Sequence, residues 1–241
     1  GLAAAASEPA AAAPAPGARQ APKLTPVLPF LRDNLLAVAS IFLGFTMLGM
    51  VVIAYLTWIP AIFMRTYGWD AAQIGLAFGA LVIIFGSGGI LAGGLLTDWL
   101  TKRGHTDAAV RAGLYGGVLA IPLTVIAPLM PTPELVLAGA ALALFASTSP
   151  QALPVVAIQF MSPNNLRARM AAIYFMVGSL LIFTGGPTAV ALATDYVFRD
   201  DLAVRYSLSL ACGVFAPIGV VLMVIALGPY RRSVAAAAAW D

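Results

Sequence analysis

The polar run Ser147-Thr148-Ser149-Pro150-Gln151-Ala152-Leu153-Pro154 interrupts a long apolar stretch with hydroxyls, one amide and two prolines. A proline lacks the backbone donor, so the run should break a helix and leave carbonyls beside the hydroxyls. Such groups can hydrogen-bond a solute but cannot activate one. A serine nucleophile needs an adjacent base, and acid–base or zinc chemistry needs His, Glu or Asp held together. The apolar stretches carry no Asp, Glu, Lys, Arg or His well inside them. That excludes those enzyme classes, and it places any proton relay outside these residues. Further polar side chains in apolar surroundings are Thr46, Tyr55, Thr57, Gln159, Tyr174, Ser179 and Thr184. With Ser147, Thr148, Ser149 and Gln151 they form the candidate cavity-lining set. The competing role is local, because hydroxyls in lipid often bond their own helix or glue helices together.

A second constellation is GSGGILAGGLLTDWLTKR, from Gly86 to Arg103. Gly86, Gly89 and Gly93 sit at helical spacing, which lets a neighbouring helix come close in lipid. After Gly94 the run turns polar at Asp98 and ends in Lys102 and Arg103, as a helix leaving a membrane does. Gly185, Gly186 and Pro187 form another small-residue element inside a later apolar run.

These groups need a membrane scaffold. The chain is 61% hydrophobic and 10% charged, with a mean hydropathy of +0.94. Soluble domains carry about 25% charged residues. The net charge of +3 does not mark a nucleic-acid binder, because its basic residues are scattered through short loops. Cys212 is the single cysteine and His105 the single histidine, so no disulfide, metal site or cofactor is expected.

Hydropathy and turn residues give six spans, at about 34–63, 71–98, 109–130, 134–161, 169–196 and 204–227. Pro60 should kink the first or end its regular part. Residues 1–27, rich in Ala and Pro, read as a linker; residues 28–232 form the membrane domain, and 233–241 a tail. One face of the membrane receives ten basic residues, among them Lys102, Arg103, Arg111, Arg167 and Arg231; the other receives Arg65, Arg199 and Arg205. The positive-inside rule then puts both termini and the Asp98 loop in the cytoplasm of a cell with this protein in its plasma membrane.

The stretch Gly94-Leu95-Leu96-Thr97-Asp98-Trp99-Leu100-Thr101-Lys102-Arg103 resembles the signature loop of the major facilitator superfamily, G-x-L-A-D-R-x-G-R-R. Gly94, Leu96, Asp98, Lys102 and Arg103 are in register; Trp99 replaces a basic residue and Thr101 a glycine. Pro163-Asn164-Asn165-Leu166-Arg167-Ala168-Arg169, then Gly185-Gly186-Pro187 and Asp195, are similar to the eleventh helix of that family, in its bacterial Spinster-like branch. Trp58-Ile59-Pro60-Ala61 with Tyr67-Gly68-Trp69 looks like the seventh. The resemblance implies an all-α integral membrane fold, the carboxy-terminal six of twelve helices, with residues 1–27 as the central loop. It also implies secondary transport of a small organic solute, an organic anion or a lysolipid-like amphiphile, with membrane lipid and an amino-terminal six-helix half as partners. The alternative is a non-transporting subunit that assembles with another half. Asp98 is then expected near the start of the fifth span, bracing a gate with Gly94, Lys102 and Arg103.

Overall fold

Apolar side chains and a shortage of charge drive residues 27–237, those described by this computed structural model, into helix almost throughout. A short helix, Val27–Asp33, precedes six spans: Leu35–Thr66, Ala71–Lys102, Ala108–Leu129, Pro133–Met161, Arg167–Phe198 and Asp201–Ala237. No strand occurs among the described residues. The expected linker lies almost wholly outside them, as does the end of the tail.

The ends of the spans follow local chemistry. Asp70 caps the second span by accepting from the Gln73 amide at 2.8 Å, and Thr132 caps the fourth by accepting from that of Leu135 at 3.4 Å. Pro133 takes the first helical position, where no amide partner is needed. Gly68 and Gly104 turn the chain with φ of 68° and 83°. Of the two outcomes open at Pro60, the helix does not end there but runs on to Thr66. Only one backbone bond is lost at a proline, and packing against neighbouring helices tolerates that in a membrane. In the fourth span the helix breaks between Thr148 and Leu153, where the polar run lies.

Burial alternates with a period of three. In the most apolar window of each span the buried share is 67, 22, 44, 67, 17 and 33% in chain order. The first and fourth spans are thus central, while the second and fifth present mostly uncovered apolar faces. The second and fifth also carry the π-helical turns, Val82–Gly86 and Ala193–Phe198. A burial pattern that recurs after three helices is compatible with folds built from nested three-helix units.

Close approach at glycine joins the spans. A Cβ at Gly89 would overlap the Thr148 hydroxyl and the Phe145 carbonyl; one at Gly93 would overlap the carbonyl of Ser149; one at Gly116 would overlap the Ser149 hydroxyl. The second and third spans thus grip the break in the fourth. Similarly, a Cβ at Gly186 would overlap the Met50 carbonyl, one at Gly185 would sit 2.7 Å from Met50 Cε, and one at Gly219 would sit 2.9 Å from the Gly44 carbonyl. Gly94 points into open space.

Adjacent glycines therefore predict opposite outcomes. Gly93→Val should lower stability in detergent by about 1–3 kcal/mol through overpacking. Gly94→Ala should leave it unchanged or slightly raised. Thermal unfolding of the two purified variants beside wild type checks this; equal midpoints would mean that the second span does not pack on the fourth through Gly93.

Candidate functional site

Most of the candidate hydroxyls bond backbone carbonyls, four of them inside the bundle. Ser147 Oγ donates to the Ala143 carbonyl at 2.6 Å, and Ser149 Oγ to that of Ala146 at 2.8 Å. Thr148 Oγ1 lies 2.8 Å from the Leu144 carbonyl and 3.0 Å from that of Gly86, so it also ties the fourth span to the second. Ser147, Thr148 and Ser149 are all buried. Gln151, half-buried at the break, donates from Nε2 to the Ser147 carbonyl at 3.2 Å. Gln159 is exposed. Tyr55 is fully buried, and its hydroxyl donates to the Thr124 carbonyl at 2.7 Å, joining the first and third spans. Thr57 and Thr184 lie on exposed surface and bond carbonyls four residues back.

Thr46 and Tyr174 differ from the rest. Both residues are buried, at 2% and 6% exposure, and neither hydroxyl hydrogen-bonds a described residue; neither oxygen is itself sealed off, whereas Thr66 Oγ1 and Ser162 Oγ are both buried and unpartnered. They meet where the first span crosses the fifth. A Cβ placed on Gly178 would lie 3.4 Å from Thr46 Oγ1 and 3.5 Å from Tyr174 Cε2, so the missing side chain leaves room beside both. The Phe42 ring packs edge-on against Tyr174 at 5.2 Å between centroids, one turn along. Ser179 is half-buried next to Gly178. Below this point the same two helices are locked by Gly49 against Ile182, by Met50 against Gly185 and Gly186, and by Trp58 Nε1 donating to the Pro187 carbonyl at 3.1 Å. Two unpartnered hydroxyls in an aromatic, apolar setting can orient a polar group of a ligand; with no ionisable side chain beside them, they cannot transfer a proton to it at neutral pH.

At the far end of the second span, Asp98, Lys102 and Arg103 are exposed, and Asp98 has no ion pair or hydrogen bond with a described residue. Arg103 instead stacks on Trp99, its guanidinium carbon 3.7 Å from the ring centre. The aromatic at the position where a basic residue is usual thus holds the loop's last arginine. Thr97 and Thr101 donate to the carbonyls of Gly93 and Thr97, and Gly86 accepts from Thr148.

One constellation has no counterpart among the sequence candidates. Asp107 is 1% exposed and accepts from Arg111 Nε at 2.8 Å and from Arg231 Nε at 2.7 Å. The signal available in the sequence was the four-residue spacing of Asp107 and Arg111, which pairs charges along one helix face; nothing local pointed to Arg231. Among the described residues no group of three His, Cys, Asp or Glu could hold a metal.

Comparison with known proteins bears on this architecture. The chain is 27% identical to the uncharacterized transporter YybO of Bacillus subtilis (strain 168), over 80% of its own length and 43% of that protein's. It is 35% identical to a probable L-galactonate transporter of Escherichia coli (strain K12), over 27% of this chain and 14% of that protein. The fold matches the crystal structure of a bacterial homolog of the human lysosomal transporter Spinster, in an inward-facing and unoccupied conformation. That match has a TM-score of 0.59 at 16% identity and covers 89% of this chain and 50% of the other. The chain therefore spans about half the length of the relatives it matches. The family model of the Major Facilitator Superfamily matches residues 2–187. Six helices long and apolar enough to cross a membrane, a loop after the second that resembles the family signature and this match agree: the chain is a multi-pass membrane protein that belongs to the Major Facilitator Superfamily.

Proposed function

We propose that this chain acts as the carboxy-terminal six-helix half of a secondary transporter, moving a small organic solute by alternating access. The observation that carries the reading is the pair of hydroxyls of Thr46 and Tyr174, which bond no described residue yet are not sealed off between the two spans. Hydroxyls that have no protein partner and remain reachable can exchange water for the polar group of a ligand. The uncovered apolar faces of the second and fifth spans suit contact with an amino-terminal half and with lipid, and the length of the relatives agrees with it. Organic anions and lysolipid-like amphiphiles are the solute classes proposed. The aromatic wall of Phe42 and Tyr174 suits an apolar body, and the hydroxyls suit a polar head.

The proposed solute path also takes in Ser179 and Gln151 as half-buried polar groups, with Tyr55, Ser147, Thr148 and Ser149 holding the helices that would frame it. Asp98, exposed and unpaired in this conformation, is proposed to brace the gate when the transporter changes state, with Gly94 leaving the space that the approach needs. The orientation proposed has the Asp98 loop and both ends in the cytoplasm.

Substitution separates a solute-binding hydroxyl from a structural one. In the full-length protein, Thr46→Val and Tyr174→Phe should leave ligand-free stability within about 0.5 kcal/mol of wild type, because no protein partner is lost. Each should weaken a solute found by thermal-shift screening of organic anions and lysolipids about tenfold, the worth of one hydrogen bond. Tyr55→Phe should do the reverse: about 1 kcal/mol of stability lost through the Thr124 contact, and binding kept. If Tyr174→Phe behaves like Tyr55→Phe, the site is not where the solute binds.

Asp98→Asn should cut uptake while expression and membrane insertion stay normal; unchanged uptake would remove Asp98 from the gate. An impermeant thiol reagent should label Lys102→Cys only from the cytoplasmic side and Asp201→Cys only from outside. The opposite pattern would invert the orientation.

A further inference from the structure

At the end of the sixth span three side chains within four positions reach three other spans. Tyr230 is fully buried, and its hydroxyl donates to the Ala157 carbonyl of the fourth span at 3.2 Å. Arg231 Nε donates to Asp107, at the start of the third span, at 2.7 Å. Ser233 Oγ donates to Asn34 Oδ1, at the start of the first span, at 2.6 Å. At 100° per residue these side chains leave the helix in three directions, which a helix manages only with neighbours on three sides. Two of the partners are themselves fixed: Arg111 holds the second oxygen of Asp107, and Asn34 Nδ2 donates to the Phe30 carbonyl at 3.1 Å.

Local backbone chemistry adds weight. Pro229 lies inside the helix directly before this segment. It has no amide to offer the preceding turn, so the helix is weakened just where the contacts begin. The end of the span is then set by what it bonds to, and less by its own helix. The second span is left out of the arrangement. A cavity of about 260 Å³ lined by Thr97, Thr101, His105, Phe160, Tyr230 and Val234 lies between its end and the sixth span.

We propose that Tyr230, Arg231 and Ser233 form a clamp, with Asp107 as its hub, which makes the signature-loop ends of the first, third, fourth and sixth spans move as one body. The hub works because Asp107 is buried and Arg111 occupies only one of its oxygens, so undocking Arg231 leaves the other oxygen buried without a partner and the contact is held closed. The inference rests on the fold alone and stands whether or not a solute binds at Thr46 and Tyr174.

Cysteine accessibility in the full-length protein in membranes tests it. Cys212, the cysteine native to this chain, is buried. One reporter is Ala157→Cys, beneath Tyr230; the other is Val136→Cys, near the opposite end of the same span; both sites are fully buried. Each is combined with wild type, Asp107→Asn, Arg231→Gln and Tyr230→Phe, and the rate of maleimide labelling is measured. The clamp predicts that each of the three substitutions speeds labelling at 157 about tenfold, although Asp107 and Arg231 are not bonded to Ala157, with the rate at 136 unchanged. An unchanged rate at 157 in Asp107→Asn and Arg231→Gln would show that the third and fourth spans are not coupled through the sixth. Parallel rises at 157 and 136 would show general loosening, and either result overturns the proposal.

Discussion

Helices surrounded by lipid gain nothing from hiding apolar surface from one another, so they hold together only where their backbones come close and their polar groups meet. That constraint explains the placement of glycine here. Gly89 and Gly93 press the second span onto the break in the fourth, Gly116 brings in the third span at Ser149, and Gly185 and Gly186 seat the fifth on Met50 of the first. Each contact would be filled by a single Cβ, so the six-helix arrangement depends on side chains that are absent.

A second consequence is that polar residues serve two different purposes in one membrane domain. The hydroxyls of Ser147, Thr148 and Ser149 bond carbonyls at the helix break, and Tyr55 and Tyr230 reach across to carbonyls of other spans. A broken helix at membrane depth is tolerable only if its freed groups find such partners or line a cavity. Thr46 and Tyr174 have no such partners beside Gly178. The same residue types thus build the frame in one place and leave hydroxyls without a protein partner in another.

Burial adds a functional division. The first and fourth spans are central, and the second and fifth are mostly uncovered, in a pattern that repeats after three helices. The π-helical turns fall on the uncovered pair, where a locally irregular helix often marks a functional position. At the signature-loop side the sixth span gathers the first, third and fourth. What remains is an inner group of four spans with two outer ones laid on it through glycine.

Composition alone placed the chain in a membrane, because too few charges remain to cover a soluble surface. Apolar run lengths, Pro and Gly punctuation, Asp70 and Thr132 at span starts, and the glycine spacing around Gly89 made the six spans, the break in the fourth and one packing face legible, since each depends on residues near in sequence. Pro60 left two outcomes open, because neighbouring helices decide whether a proline ends a span. The candidate site was legible only as a set of residue types. That Ser149 is wedged between Gly93 and Gly116, that Thr46 meets Tyr174 across Gly178, and that Asp107 binds Arg231, 124 positions away, are matters of which helix faces which. A hydroxyl in an apolar run reads the same whether it faces its own carbonyl or a gap, and only the packing of distant helices tells the two apart.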